Sequence, residues 1–125
     1  MVLILGLRRQ CLGLLILKYF KMLKEKGYKI SIFFLWVPHQ RLAIERVKDR
    51  VAQGGHNVPI KDIKRRFERS IDKFFNHYRL LADEWILFNN EETVPKIIAK
   101  KQNSHIEIIN QILFSEITKK VGVKL

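Results

Sequence analysis

From Leu12 to Lys26 apolar residues recur at three- and four-residue spacing. Leu15, Tyr19, Met22 and Leu23 share one side, which predicts a helix stopped at Gly27. The period then changes. Lys29–Val37 is short, rich in branched and aromatic residues and apolar nearly throughout, which predicts a strand buried on both faces, as in a parallel sheet, ended by Pro38. His39–Gln53 returns to helical spacing, with Leu42, Ala43, Val47 and Val51 inward and Arg41, Glu45, Lys48 and Asp49 outward. Gly54-Gly55 breaks this helix. Pro59 suits the first turn of the next, which runs to about Leu81 and is expected to bury Ile60, Ile63, Phe67, Ile71, Phe74 and Tyr78. Trp85–Phe88 reads as a second strand closed by Asn89-Asn90, and Lys96–Ala99 as a candidate third. Ile106–Val121 carries a helical pattern through Ile109, Ile112, Leu113 and Ile117. Helix, strand, helix, helix and strand in succession predict an α/β fold with a parallel sheet. Two or three strands are too few to complete such a sheet, so Ile30–Val37 is expected to be a central strand without its neighbours.

Composition narrows the class. A chain of 125 residues is about one domain or part of one. A hydrophobic fraction of 47% with eight Phe and two Trp argues against disorder. The net charge of +12, from 24 basic and 12 acidic residues, favours polyanionic partners such as nucleotides, nucleic acid or acidic lipid headgroups. Cys11 is the single cysteine, which excludes an intrachain disulfide and a cysteine-based zinc site and fits a reducing cytoplasm. The apolar runs Val2–Leu7 and Cys11–Leu17 are split by Arg8-Arg9-Gln10, and each is shorter than the roughly 20 residues that span a bilayer. Lys18-Tyr19-Phe20-Lys21 stands where a signal peptide would have its small-residue cleavage site, so neither membrane insertion nor secretion is expected.

The candidate chemistry is cationic. Arg46 and Arg50 are one helical turn apart, and Arg65 and Arg66 lie one to two turns into the following helix. Folding at the glycines would let these guanidiniums converge on phosphate, which their planar forks grip through paired hydrogen bonds. They also fit a solvated basic face paired with Glu45, Asp49 and Glu68. Gly54, Gly55 and His56 read either as a hinge that admits a ligand, with His56 donating to it, or as a simple loop. Asn89 and Asn90 follow a strand, where ligands of open α/β sheets bind, and read as a base-contacting loop or a plain turn. His39, His77 and His105 are not at metal-ligand spacing. The sequence has no Gly-x-x-x-x-Gly-Lys-Ser/Thr phosphate loop, no Gly-x-Ser-x-Gly elbow and no His-Glu-x-x-His pair.

Phe34-Leu-Trp-Val-Pro38, Ala43-Ile-Glu-Arg-Val47, Arg50-Val-Ala-Gln-Gly-Gly-His-Asn-Val-Pro59, Lys64-Arg-Arg-Phe-Glu-Arg-Ser70 and Tyr78-Arg-Leu-Leu-Ala-Asp-Glu-Trp85 together resemble the zeta-toxin family of P-loop kinases. The resemblance covers about Lys21 to Ala99. It implies a three-layer α/β/α P-loop fold that uses ATP with Mg2+, and zeta toxins proper phosphorylate UDP-N-acetylglucosamine. It also implies a lid over residues 50–67 whose arginines contact the ATP phosphates, mapping onto Arg50 and Arg65 or Arg66, with Arg46 a further candidate and Gly54, Gly55 and His56 as the hinge. Where the family tends to have Asp-Asn-Ser, this chain has Asn89-Asn90-Glu91.

The family's amino-terminal half, with its phosphate loop, lysine and catalytic Asp, has no counterpart here. On this reading residues 21–125 are the carboxy-terminal part of a kinase domain, inactive alone. The partner is then a separate chain supplying the phosphate-loop half, or an antitoxin. Gly6-Leu-Arg-Arg-Gln-Cys-Leu-Gly13 can be back-translated into DNA that reads Phe-Glu-Thr-Thr-Val-Ser-Gly in a shifted frame, close to a heptapeptide the family often shows before this helix. Residues 1–20 are therefore expected to be an out-of-frame or non-native segment. The reading from another class is a basic, helical nucleic-acid-binding module, with steep salt dependence.

Overall fold

The computed structural model of the chain describes residues 2–6 and 14–123, with side chains from residue 17 onward. Arg8, Arg9, Gln10 and Cys11 lie outside the described residues, as does most of the Gly6–Gly13 segment. Five strands form one sheet in the order β1 (Val2–Gly6), β2 (Lys29–Trp36), β3 (Glu84–Asn89), β4 (Lys96–Gln102) and β5 (His105–Ile108). The first three are parallel, and β4 and β5 add as antiparallel strands. The sheet is therefore mixed rather than wholly parallel. Strand β2, expected to lack neighbours, has one on each side: Leu3 aligns with Ile30, and Ile32 with Trp85.

Between the strands run α1 (Leu14–Glu25), α2 (Gln40–Ala52) and α3 (Ile60–Lys73). Helix α3 continues through a π-helical turn at Phe74–Tyr78 into α4 (Arg79–Leu81), so the long helix predicted to Leu81 is present. Its π turn falls where three aromatics, Phe74, Phe75 and Tyr78, enter the core. Helix α5 (Gln111–Val121) closes the fold, its amino end capped by Asn110, whose Oδ1 accepts from the Leu113 N–H at 3.1 Å.

The core lies on one side of the sheet. Ile30, Ile32, Phe34, Trp85, Leu87 and Ala99 face Phe20 of α1, Phe74, Phe75 and Tyr78 of the π turn, and Phe114 and Ile117 of α5. Phe74 meets Phe34 at 5.1 Å and Trp85 edge-on at 5.6 Å between centroids. This one-sidedness follows from topology. Parallel strands laid down in a single direction and joined by right-handed crossovers send every connection over the same face.

Two further expectations fail. Ile60 is exposed, because it stands at the first turn of α3, ahead of Ile63, the first residue of that helix to be buried. The helical pattern over Ile106–Val121 divides into β5 and α5. A two-residue turn at Asn103 and Ser104, both with positive φ (51° and 62°), sends the chain back so that Ile106 pairs with Lys101. Such a primed turn matches the twist of a hairpin, and the threefold spacing of Ile106, Ile109 and Ile112 is coincidental: all three are exposed.

Candidate functional site

The carboxyl ends of β2 and β3 lie side by side, Trp36 aligned with Asn89. The loop after β3 is tied to this edge by three bonds. The Asn90 N–H donates to the Trp36 carbonyl at 2.7 Å. Asn89 Oδ1 accepts from the Glu91 N–H at 3.1 Å, a local turn of the kind asparagine favours. Arg46 then reaches across from α2, its Nη2 donating to the Glu91 carbonyl at 2.9 Å. The other terminal nitrogen, Nη1, is shielded from solvent and has no partner among the described residues. A shielded guanidinium N–H without an acceptor is costly, and it is the group here most suited to receive an anionic oxygen.

The arginines are set out along a helical hairpin. Helix α2 starts at His39, whose Nδ1 accepts from the Leu42 N–H at 3.2 Å. It packs antiparallel on α3, and Gln40 Nε2 donates to Glu68 Oε1 at 3.0 Å. Measured from that tie at the helical rise, Arg46 lies roughly 9 Å and Arg65 roughly 4.5 Å toward the hairpin tip, so the two share one axial zone. Arg50 is exposed, one turn beyond Arg46, and its Nε donates to the Arg46 carbonyl at 3.3 Å. Arg65 pairs with Asp62 at 3.3 Å, a partner other than the acids expected from the sequence, and Arg66 is half-buried. The hairpin is formed as the sequence suggests. The only candidate arginine shown bonded to the strand-end loop is Arg46.

Gly54 and Gly55 have a role of their own. The Gly54 N–H donates to the Val51 carbonyl at 3.0 Å, the Gly55 N–H donates to the Arg50 carbonyl at 2.8 Å, and Gly54 sits at φ +96°. This pair of reversed bonds is the Schellman stop of a helix. A Cβ on Gly55 would stand 2.8 Å from the Arg50 carbonyl oxygen. Helix capping thus accounts for both glycines. His56 is exposed on the connection to α3.

Sequence reasoning missed two groups. One is the Glu91 carbonyl, a backbone acceptor with no residue-type signature. The other is Asp83 at the opposite end of the sheet. Its Oδ2 accepts from the Ile30 N–H at 2.8 Å, its Oδ1 stands 3.5 Å from Lys24 Nζ, and its own N–H donates to the Ile30 carbonyl at 2.8 Å. Asp83 is therefore a lock joining α1, β2 and β3, far from the Arg46 edge. Burial lowers the Arg79 pKa and raises that of Tyr78. The Arg79 guanidinium lies 6.0 Å from the Phe75 ring centroid. Among the described residues no group of three His, Cys, Asp or Glu is placed to hold a metal ion, and no helix is long and apolar enough to cross a membrane. No protein-family model, curated protein or solved structure matches the chain.

Proposed function

We propose that this chain is the carboxy-terminal part of a zeta-toxin-type, ATP-dependent small-molecule kinase. Its complete form would be a three-layer α/β/α P-loop domain, and its arginine hairpin would serve as the phosphate-binding lid. The observation that carries this reading is the bond from Arg46 to the Glu91 carbonyl. It brings an arginine of the α2–α3 hairpin, just before the expected lid, to the carboxyl edge of parallel strands, where open α/β sheets take their ligands. In this role Arg46 Nη1 would meet a phosphate oxygen, with Arg50, Arg65 and Arg66 adding charge along the hairpin. Asn89 and Asn90 would line the floor beside the nucleotide.

Phosphoryl transfer depends on positioning the phosphates and neutralising their charge, and the phosphate loop and its Mg2+ do most of this. The chain alone is therefore expected to turn over no ATP. Activity would require a second polypeptide that carries Gly-x-x-x-x-Gly-Lys and a carboxylate base. The test is binding rather than turnover. Titrating ATP with Mg2+ should quench Trp36, which lies half-buried at the site, and Arg46→Ala should weaken that response about tenfold or more. Equal affinity for duplex DNA or RNA, with a steep salt slope and no effect of Arg46→Ala, would instead favour the basic nucleic-acid-binding module.

A further inference from the structure

The π turn delivers one charged side chain to the rim of the core. In an unbroken α-helix the Arg79 N–H would bond to the Phe75 carbonyl, but here it donates to the Phe74 carbonyl, one residue further back. The wider turn directs two adjacent pairs inward. Phe74, Phe75 and Tyr78 are buried, and Arg79 beside them is half-buried. The Arg79 guanidinium stands 6.0 Å from the Phe75 ring centroid, and Phe75 packs in turn on Phe74 and on Phe114 of α5. A guanidinium over a ring face keeps its in-plane N–H donors free for an acceptor.

That acceptor is not among the described residues. Arg79 Nε is shielded from solvent and has no partner there, and burial lowers the pKa of the group. The nearby acids are engaged with other groups. Asp72 Oδ1 accepts from Asn76 Nδ2 at 2.7 Å, and Asp83 holds Lys24 and the Ile30 N–H. A partly desolvated cation with an unused donor gains more from an anion than a fully solvated one does, and π turns occur frequently at functional sites.

We propose that Arg79 anchors an oxyanion site, which takes a carboxylate or phosphate group between its Nε and a terminal nitrogen. The residue is half-buried rather than enclosed, so a small anion reaches it from the solvent side. The site is distinct from the Arg46 edge. Arg79 lies just before β3, at the amino ends of the parallel strands, whereas Arg46 is bonded to the loop beyond their carboxyl ends. The length of β3 (Glu84–Asn89) puts roughly 16 Å of strand between the two, so the proposal does not rest on the kinase reading.

The test reads the Arg79 Nε–H directly by NMR, in Arg46→Ala so that the carboxyl edge contributes nothing. The signal is identified as the one lost in Arg46→Ala/Arg79→Lys. Arg46→Ala is then titrated with sodium acetate and with sodium phosphate against chloride at constant ionic strength. A saturable shift of the Arg79 signal with acetate identifies a carboxylate ligand, and one with phosphate a phosphate ligand; either supports the proposal. The melting temperature is expected to rise with the same anion. The affinity read from that rise is expected to be about tenfold or more weaker in Arg46→Ala/Arg79→Lys, which keeps the charge but loses the fork. Absence of a saturable shift with both anions would overturn the proposal, as would a shift no larger than that of the exposed Arg69. Equal stabilisation of the two variants by the anion would overturn it too.

Discussion

At the scale of single residues, position decides what each candidate does. Gly55 cannot carry a side chain without pushing the Arg50 carbonyl, since its Cβ would stand 2.8 Å from that oxygen. Gly55→Ala is expected to cost about 1–3 kcal/mol in urea unfolding, and Gly54→Ala, at φ +96°, about 1–2 kcal/mol. Tyr78 is 1% exposed, and its hydroxyl has no partner among the described residues. Its pKa is raised by burial, so the folded state holds this proton more tightly than the unfolded chain does. The corresponding stability is complete below the unfolded value of 10.0 and is lost as pH rises from there toward the higher folded pKa. Tyr78→Phe is expected to be as stable as the wild type at neutral pH, or more so, because it removes an unsatisfied hydroxyl. It should also lose less stability between neutral pH and the alkaline range, as read by denaturant unfolding at each pH. The arginines were legible from their spacing and chemistry. That Arg46 is the one tied to the strand-end loop was not, because its acceptor is a backbone carbonyl that any residue could supply.

At the scale of elements, the sequence was clearest where burial is one-sided or complete. The apolar run of β2, the stops at Gly27 and Gly54, and the long helix to Leu81 all follow from period and punctuation. The β4–β5 hairpin did not, since three exposed isoleucines imitate a helical stripe and the turn is Asn-Ser rather than Asn-Gly. Ser104 holds φ 62°, a conformation that costs a residue with a Cβ but not glycine. Ser104→Gly is expected to stabilise the hairpin by about 0.5–1 kcal/mol in thermal or denaturant unfolding. Asn110→Ala, which removes the acceptor at the start of α5, is expected to cost about 1 kcal/mol in the same measurement. The π turn was also hidden, because Phe74, Phe75 and Tyr78 fit ordinary helical spacing equally well.

At the scale of the molecule, connection rules gather α1, the π turn and α5 over one face of the sheet, where the described core lies. The same topology brings the ends of β2 and β3 together beneath the arginine hairpin. The central claim is that the Arg46 edge binds the phosphates of a nucleotide. It is tested most directly by titrating the wild-type chain, Arg46→Ala and Lys120→Ala with ATP and Mg2+ at fixed salt, read by Trp36 fluorescence and by calorimetry. The account predicts saturable binding by the wild type, an undiminished response from Lys120→Ala, and affinity about tenfold or more weaker in Arg46→Ala. Absence of binding by the wild type, or the same affinity in all three proteins, would contradict it.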